Sequence, residues 1–169
     1  MSKRALQKYI KELKKKELEE QLLDLYMRFP LVKEYYDFVF NPKEDKLIQE
    51  AKTKISNEYF PLKRKRPKAR RSVAQKYIKH FNKLGVEPFL VIDVMLFNIE
   101  VAQSFSMERN VPDSFYKSMA NSFTEAVHFV SVNGLLSEFK DRIVKVYNFV
   151  QEQHWPFEET FSRALDSID

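Results

Sequence analysis

Cysteine is absent from this chain of 169 residues, and glycine occurs only at Gly85 and Gly134. Without cysteine there are no disulfides, thiolate metal sites, iron–sulfur clusters or cysteine nucleophiles. Two glycines 49 residues apart cannot write a GxGxxG or a GxxxxGK[ST] phosphate loop. They are also too few for the tight turns that repeated hairpins need, which argues against an all-β fold. No GxSxG elbow is present, and the serines sit mainly where helix caps are wanted. The most apolar run, 89–102, is interrupted by Asp93, Asn98 and Glu100. It falls short of the roughly 20 residues that cross a bilayer. The basic, amphipathic start of the chain lacks the apolar stretch of a secretory signal. The expectation is a soluble, cytoplasmic protein without a membrane span.

Hydrophobic residues make up 44% of the chain, enough for a real core. The net charge of +5 conceals a division. Residues 1–85 hold 23 Lys or Arg against 11 Asp or Glu, a net of +12, whereas residues 86–169 hold 6 against 13, a net of −7. Such polarity suits either an anionic partner or attraction between the two halves of one fold.

The dominant pattern has helical period. Ser2 can cap a first helix carrying Leu6, Tyr9, Ile10 and Leu13, and Lys14-Lys15-Lys16 should end or kink it. A second helix is expected over 17–29, with Pro30 as its stop, and a short aromatic one over 31–40. Asn41-Pro42 reads as an N-cap followed by proline at the first helical position. The helix it opens should bury Leu47, Ile48, Ala51, Ile55 and Tyr59 before Pro61. Residues 61–71 form a cationic connection, after which Ser72 is expected to cap a helix that Gly85 ends. From Pro88 to about residue 105 the chain is apolar nearly all round, the signature of a central helix. Further helices should follow from Pro112-Asp113, over 135–153, and after Trp155-Pro156. The fold expected is all-α: one domain over 1–169 with eight or nine helices, either an antiparallel bundle or a short stack of helical hairpins.

Four groups of residues could carry chemistry. Lys63, Arg64, Lys65, Arg66, Lys68, Arg70 and Arg71 place seven cations in nine residues, and Lys76, Lys79 and Lys83 continue the charge. Arginine offers planar donors to phosphate, so this segment is the anion-binding candidate. Lys3, Arg4, Lys8 and Lys11 in the first helix add to the basic half. The alternative is a merely solvated loop, or Arg70 and Arg71 folding back onto acidic residues. Asp93 and Glu100 lie two turns apart on one face of the apolar helix. Burial demands partners for them, and Arg70, Arg71, Lys76 and His80 are the nearest in sequence. The pair would make either a pocket of perturbed carboxylates or, more simply, a structural ion pair. Glu125 and His128 form one ExxH pair, with Glu100 as a possible extra ligand, where a di-iron bundle uses two such pairs and two further glutamates, so no metal and no cofactor are expected. Tyr35, Tyr36, Phe38, Phe40, Tyr59 and Phe60 could stack bases, or simply pack.

Three stretches, VKEYYDFVFNPKEDKLIQEAKTKISNEYFP (32–61), PKARRSVAQKYIKHFNKLG (67–85) and DVMLFNIE (93–100), resemble a family of small bacterial proteins known only as a domain of unknown function. The resemblance runs nearly the full length. It implies a bacterial, cytoplasmic protein and brings no activity, ligand or catalytic residue with it. The function expected from the residues is therefore that of a non-enzymatic binding protein, with nucleic acid or another anionic macromolecule as partner. A protein–protein adaptor is the alternative. An enzyme built on Asp93, Glu100, Glu125 and His128 comes last.

Overall fold

A computed structural model describes residues 2–63 and 66–168. Among them are nine helices and no strand. The chain divides into two compact units, 1–43 and 44–169.

The first unit holds α1 (Lys3–Glu12), α2 (Lys15–Arg28) and α3 (Pro30–Phe40). Ser2 caps α1 as expected, its Oγ accepting from Ala5 N at 3.3 Å. Glu17 reaches back to Lys14 N at 2.7 Å, closing the first turn of α2. Pro30 opens α3 as well as ending α2, since its fixed φ suits a first helical position. Tyr26 donates to Asp37 Oδ1 at 2.6 Å, which ties α2 to α3 and holds the Tyr26 hydroxyl above its ordinary pKa. None of the three helices buries a side chain.

The second unit begins with α4 (Glu44–Tyr59). This corrects the expected start at Asn41-Pro42: Asn41 N donates to Asp37 O at 3.1 Å, so Asn41 closes α3 instead of capping α4. α5 (Arg71–Leu84) also starts two residues earlier than expected, with Arg70 at the cap position and Ser72 inside the first turn. Gly85 ends α5 in the left-handed region at φ 79, where a side chain would be strained, and Gly85 N and Val86 N both donate to Phe81 O. Then come α6 (Pro88–Glu108), α7 (Asp113–Val132), α8 (Leu136–Glu152) and α9 (Glu158–Asp166).

The centre is α6, which packs against α4, α5, α7 and α8. Ten of its side chains are buried. At 21 residues it is long and apolar enough to cross a membrane, which corrects the shorter apolar run read from sequence. Contact with four other helices on several sides is the position that an all-round apolar helix takes in a core. Phe115, Met119, Phe123, Val127 and Val130 of α7 face inward as their spacing predicts. Phe123 meets Phe161 of α9 at 5.0 Å between ring centroids. Trp155, buried, stands edge-on to Phe115, Tyr116, Phe149 and Phe161. The long helices bury only a few polar side chains, Glu58, Asn98, Gln103 and Ser122, among the described residues.

Candidate functional site

The segment between α4 and α5 is organised by one carboxylate. Glu58 is 6% exposed. Arg70 grips it with one edge of the guanidinium in a bidentate contact, Nε to Oε2 at 2.9 Å and Nη2 to Oε1 at 3.1 Å. That bond, with the carboxylate's charge behind it, raises the Arg70 pKa. The backbone carbonyl of Glu58 also accepts from Lys68 N at 3.0 Å and Ala69 N at 2.9 Å. These bonds hold Ala69 at φ 46, a left-handed conformation unusual for alanine. Next to Glu58, Tyr59 donates to Asn98 Oδ1 at 3.1 Å inside the core. Burial raises the Tyr59 pKa, the Glu58 charge raises it further and Arg71 opposes the shift, so the hydroxyl keeps its proton.

Arg71 turns the other way. Its Nε donates to Ser122 Oγ at 2.7 Å and its Nη2 to Glu125 Oε1 at 2.6 Å, while Gln75 Nε2 takes Glu125 Oε2 at 2.8 Å. Two of the predicted anion-binding cations, Arg70 and Arg71, therefore anchor the turn to α4 and α7. Lys63, Arg66, Lys68 and Lys76 stand exposed without an ion pair among the described residues. Arg64 and Lys65, also predicted for this site, lie outside the described residues.

α5 extends the basic surface. Its core face is Ala74, Ile78, Phe81 and Leu84. The helical period therefore puts Lys76, Lys79 and Lys83 together on the opposite face, and all three are exposed. Over residues 61–85 the chain holds ten Lys or Arg and no carboxylate. Beside this face a groove of about 630 Å³ is lined by Lys54, Asn57 and the Arg70-held Glu58 of α4, Lys63 of the connection, and Tyr77 of α5. It sets two ammonium groups beside an aromatic ring. The α1 cations Lys3, Arg4, Lys8 and Lys11 are exposed on the first unit.

Asp93 and Glu100 form a separate cluster. Arg142 of α8 reaches both, with Nη1 on Asp93 Oδ1 at 2.7 Å, Nε on Glu100 Oε1 at 2.6 Å and Nη2 on Glu100 Oε2 at 2.8 Å. Lys52 of α4 completes it, Nζ to Asp93 Oδ2 at 2.6 Å, while lying over the Phe97 ring. Burial alone would raise the Asp93 pKa, but hydrogen bonds and charge from Lys52 and Arg142 outweigh it, and the carboxyl falls below its ordinary value. Burial likewise opposes the Arg142 charge and is outweighed by Glu100 and Asp93, so that pKa rises. Two cations meet two carboxylates here, and the cluster bolts α4 and α8 to α6. The sequence placed these carboxylates against the 70–80 segment. In the structure their cations come from α4 and α8, because the face of α6 that carries them lies against those helices. His80 is half-buried beside Phe81 on α5.

The ExxH pair does not gather ligands. Glu125 is held by Arg71 and Gln75, His128 is exposed, and among the described residues no three His, Asp or Glu converge as a metal site would require. The aromatic set separates as well. Tyr36 stacks with Phe40 within α3, while Tyr59 is buried against Phe105 and Phe115.

Sequence reasoning missed Lys52, Lys54, Glu58, Ser122 and Arg142. Only Glu58 left a signal: it is the sole carboxylate between residues 51 and 85, among twelve cations. Lys52, Lys54 and Arg142 look in sequence like ordinary solvated charges on amphipathic helices.

Over residues 1–169 the chain matches the model of a family of unknown function (DUF6155), and it belongs to that family. Neither the curated proteins nor the solved structures gave a match.

Proposed function

We propose that this is a non-enzymatic binding protein that holds an anionic macromolecule, nucleic acid foremost, on the basic face formed by α5 and the connection before it. One observation carries the reading. Lys76, Lys79 and Lys83 repeat on one exposed face, with Lys63, Arg66 and Lys68 exposed in the preceding connection, and none of the six has a carboxylate partner among the described residues. Unpaired, solvated lysines offer an anion the whole of their charge, and releasing condensed counterions from a phosphate backbone drives such contacts. The groove with Lys54, Lys63 and Tyr77 supports the same partner, since a ring beside cations suits a base beside its phosphate. The setting we propose is a bacterial cytoplasm, supported by the resemblance of the chain to small bacterial proteins.

Fluorescence anisotropy with labelled single strands and duplexes of DNA and RNA at low salt tests this. The triple variant Lys76→Ser, Lys79→Ser, Lys83→Ser should bind at least tenfold more weakly than the parent, each phosphate contact adding to affinity. Equal binding by parent and variant would remove α5 from the interface.

A second reading, a protein–protein adaptor, is favoured by the first unit. There Met27 is 82% exposed and Phe40 81%, and no residue of α1–α3 is fully buried. Unburied apolar surface on this scale suits a protein partner. Such a partner's binding would tolerate salt and would be lost in Met27→Asp with Phe40→Asp.

A further inference from the structure

A cavity of about 380 Å³ opens between the 68–71 turn, the end of α6, residues 110–112 and the first turns of α7. We propose that it binds a small amphipathic anion: one carboxylate or phosphate head on a flat apolar body.

The floor is apolar. Phe105, Phe115 and Met119 supply it, all buried, with Phe105 and Phe115 rings 6.1 Å apart. The rim is cationic, with Lys68 and Arg71 on one side, and Asn110 and Ser114 supply neutral polar groups. No carboxylate lines the cavity. Glu125 and Ser122 occupy two nitrogens of Arg71, but its Nη1 has no acceptor among the described residues. A cavity with a hydrophobic floor, a few polar groups and a volume above about 300 Å³ has the make-up of small-ligand sites.

The rim is also held in place at a cost. Ala69, between the two cations, sits at φ 46. A left-handed alanine persists only where its surroundings over-determine it. Here Glu58 does so, taking two backbone N–H groups on its carbonyl and Arg70 on its carboxylate. The strained turn carries Lys68 and Arg71 to the cavity wall, a fixed position that a solvated loop would not give them. Charge at the rim and aromatic surface below select for a ligand with both properties: an inorganic anion leaves the floor wet, and a neutral body leaves the cations unused.

The cavity shares Lys68 with the basic face but none of Lys76, Lys79 and Lys83, which do not line it. The probe is 2-naphthoate, titrated into the ¹⁵N-labelled full chain and followed by amide shifts. Saturating shifts are expected at residues 68–71 and 110–119. Neutral 2-naphthalenemethanol and inorganic phosphate should each bind at least fivefold more weakly. Lys68→Ser should lower the affinity for 2-naphthoate about tenfold, the worth of a hydrogen bond to a charged group. Ser114→Trp, at an exposed position, should fill the mouth and abolish binding, with the shifts of α8 and α9 confirming that both variants fold. The α5 triple variant should bind the probe like the parent, so failure of the nucleic-acid reading leaves this one intact. Shifts scattered elsewhere, equal affinity for the alcohol, or unchanged binding in both cavity variants would overturn it.

Discussion

Ala69 concentrates the argument at the scale of single residues. Its positive φ costs about 1 kcal/mol for any residue with a Cβ. Glycine relieves that strain but adds freedom to the unfolded chain, so Ala69→Gly should stabilise by roughly 0.5 kcal/mol net in urea unfolding. A loss of stability would show that the turn is not strained. Asp93 gives a prediction in pH. Its folded pKa lies below the ordinary 3.8, so the stability it contributes is present above that value and is lost as pH falls through the lower, folded pKa. The stability gap between the parent and Asp93→Asn should therefore be full near neutrality and close progressively below about pH 4. A gap independent of pH would place Asp93's contribution outside its charge. Ala69 left no signal in the sequence. Asp93 was recognised from its apolar neighbours, but Lys52 and Arg142 were not, because pairing between helices depends on packing that no local pattern encodes. Glu58 was the one readable exception, a lone acid in a basic stretch.

At the scale of elements, helix existence was legible and helix ends less so. Period 3.6 in apolar residues located the helices, and Ser2 and Gly85 marked their ends, because cap chemistry is local. Asn41-Pro42 and Ser72 misled for the same reason in reverse: a good cap residue is used only if the chain reaches it in the right conformation. At 41 the backbone was still closing α3, and at 70–72 the grip of Glu58 set the start of α5. Amphipathic pattern also says nothing of whether a face is covered. α6 has ten buried side chains, and α1 to α3 have none. Helices of 10 to 14 residues without tertiary burial are marginal in water. Hydrogen exchange of the isolated protein should thus find amides of α6 protected by orders of magnitude more than those of α1 to α3. Comparable protection in α1–α3 would mean that these helices bury surface in the isolated protein, as self-association would cause.

At the scale of the whole molecule, the division of charge along the sequence has a partial physical explanation. Some of the basic excess is consumed by pairing with the acidic half, Arg71 with Glu125 and Lys52 with Asp93. The remainder stays at the surface, and the unpaired lysines of α5 are its clearest expression. The central claim is that this remainder is an interface for a polyanion. The most direct test is the slope of log K against log salt for a single-stranded DNA, measured for the parent and for the Lys76, Lys79, Lys83→Ser variant. The account predicts a steep negative slope for the parent, and one shallower by about two units in the variant, near 0.7 for each lost phosphate contact. Binding with no salt dependence, or with the same slope in both proteins, would contradict it.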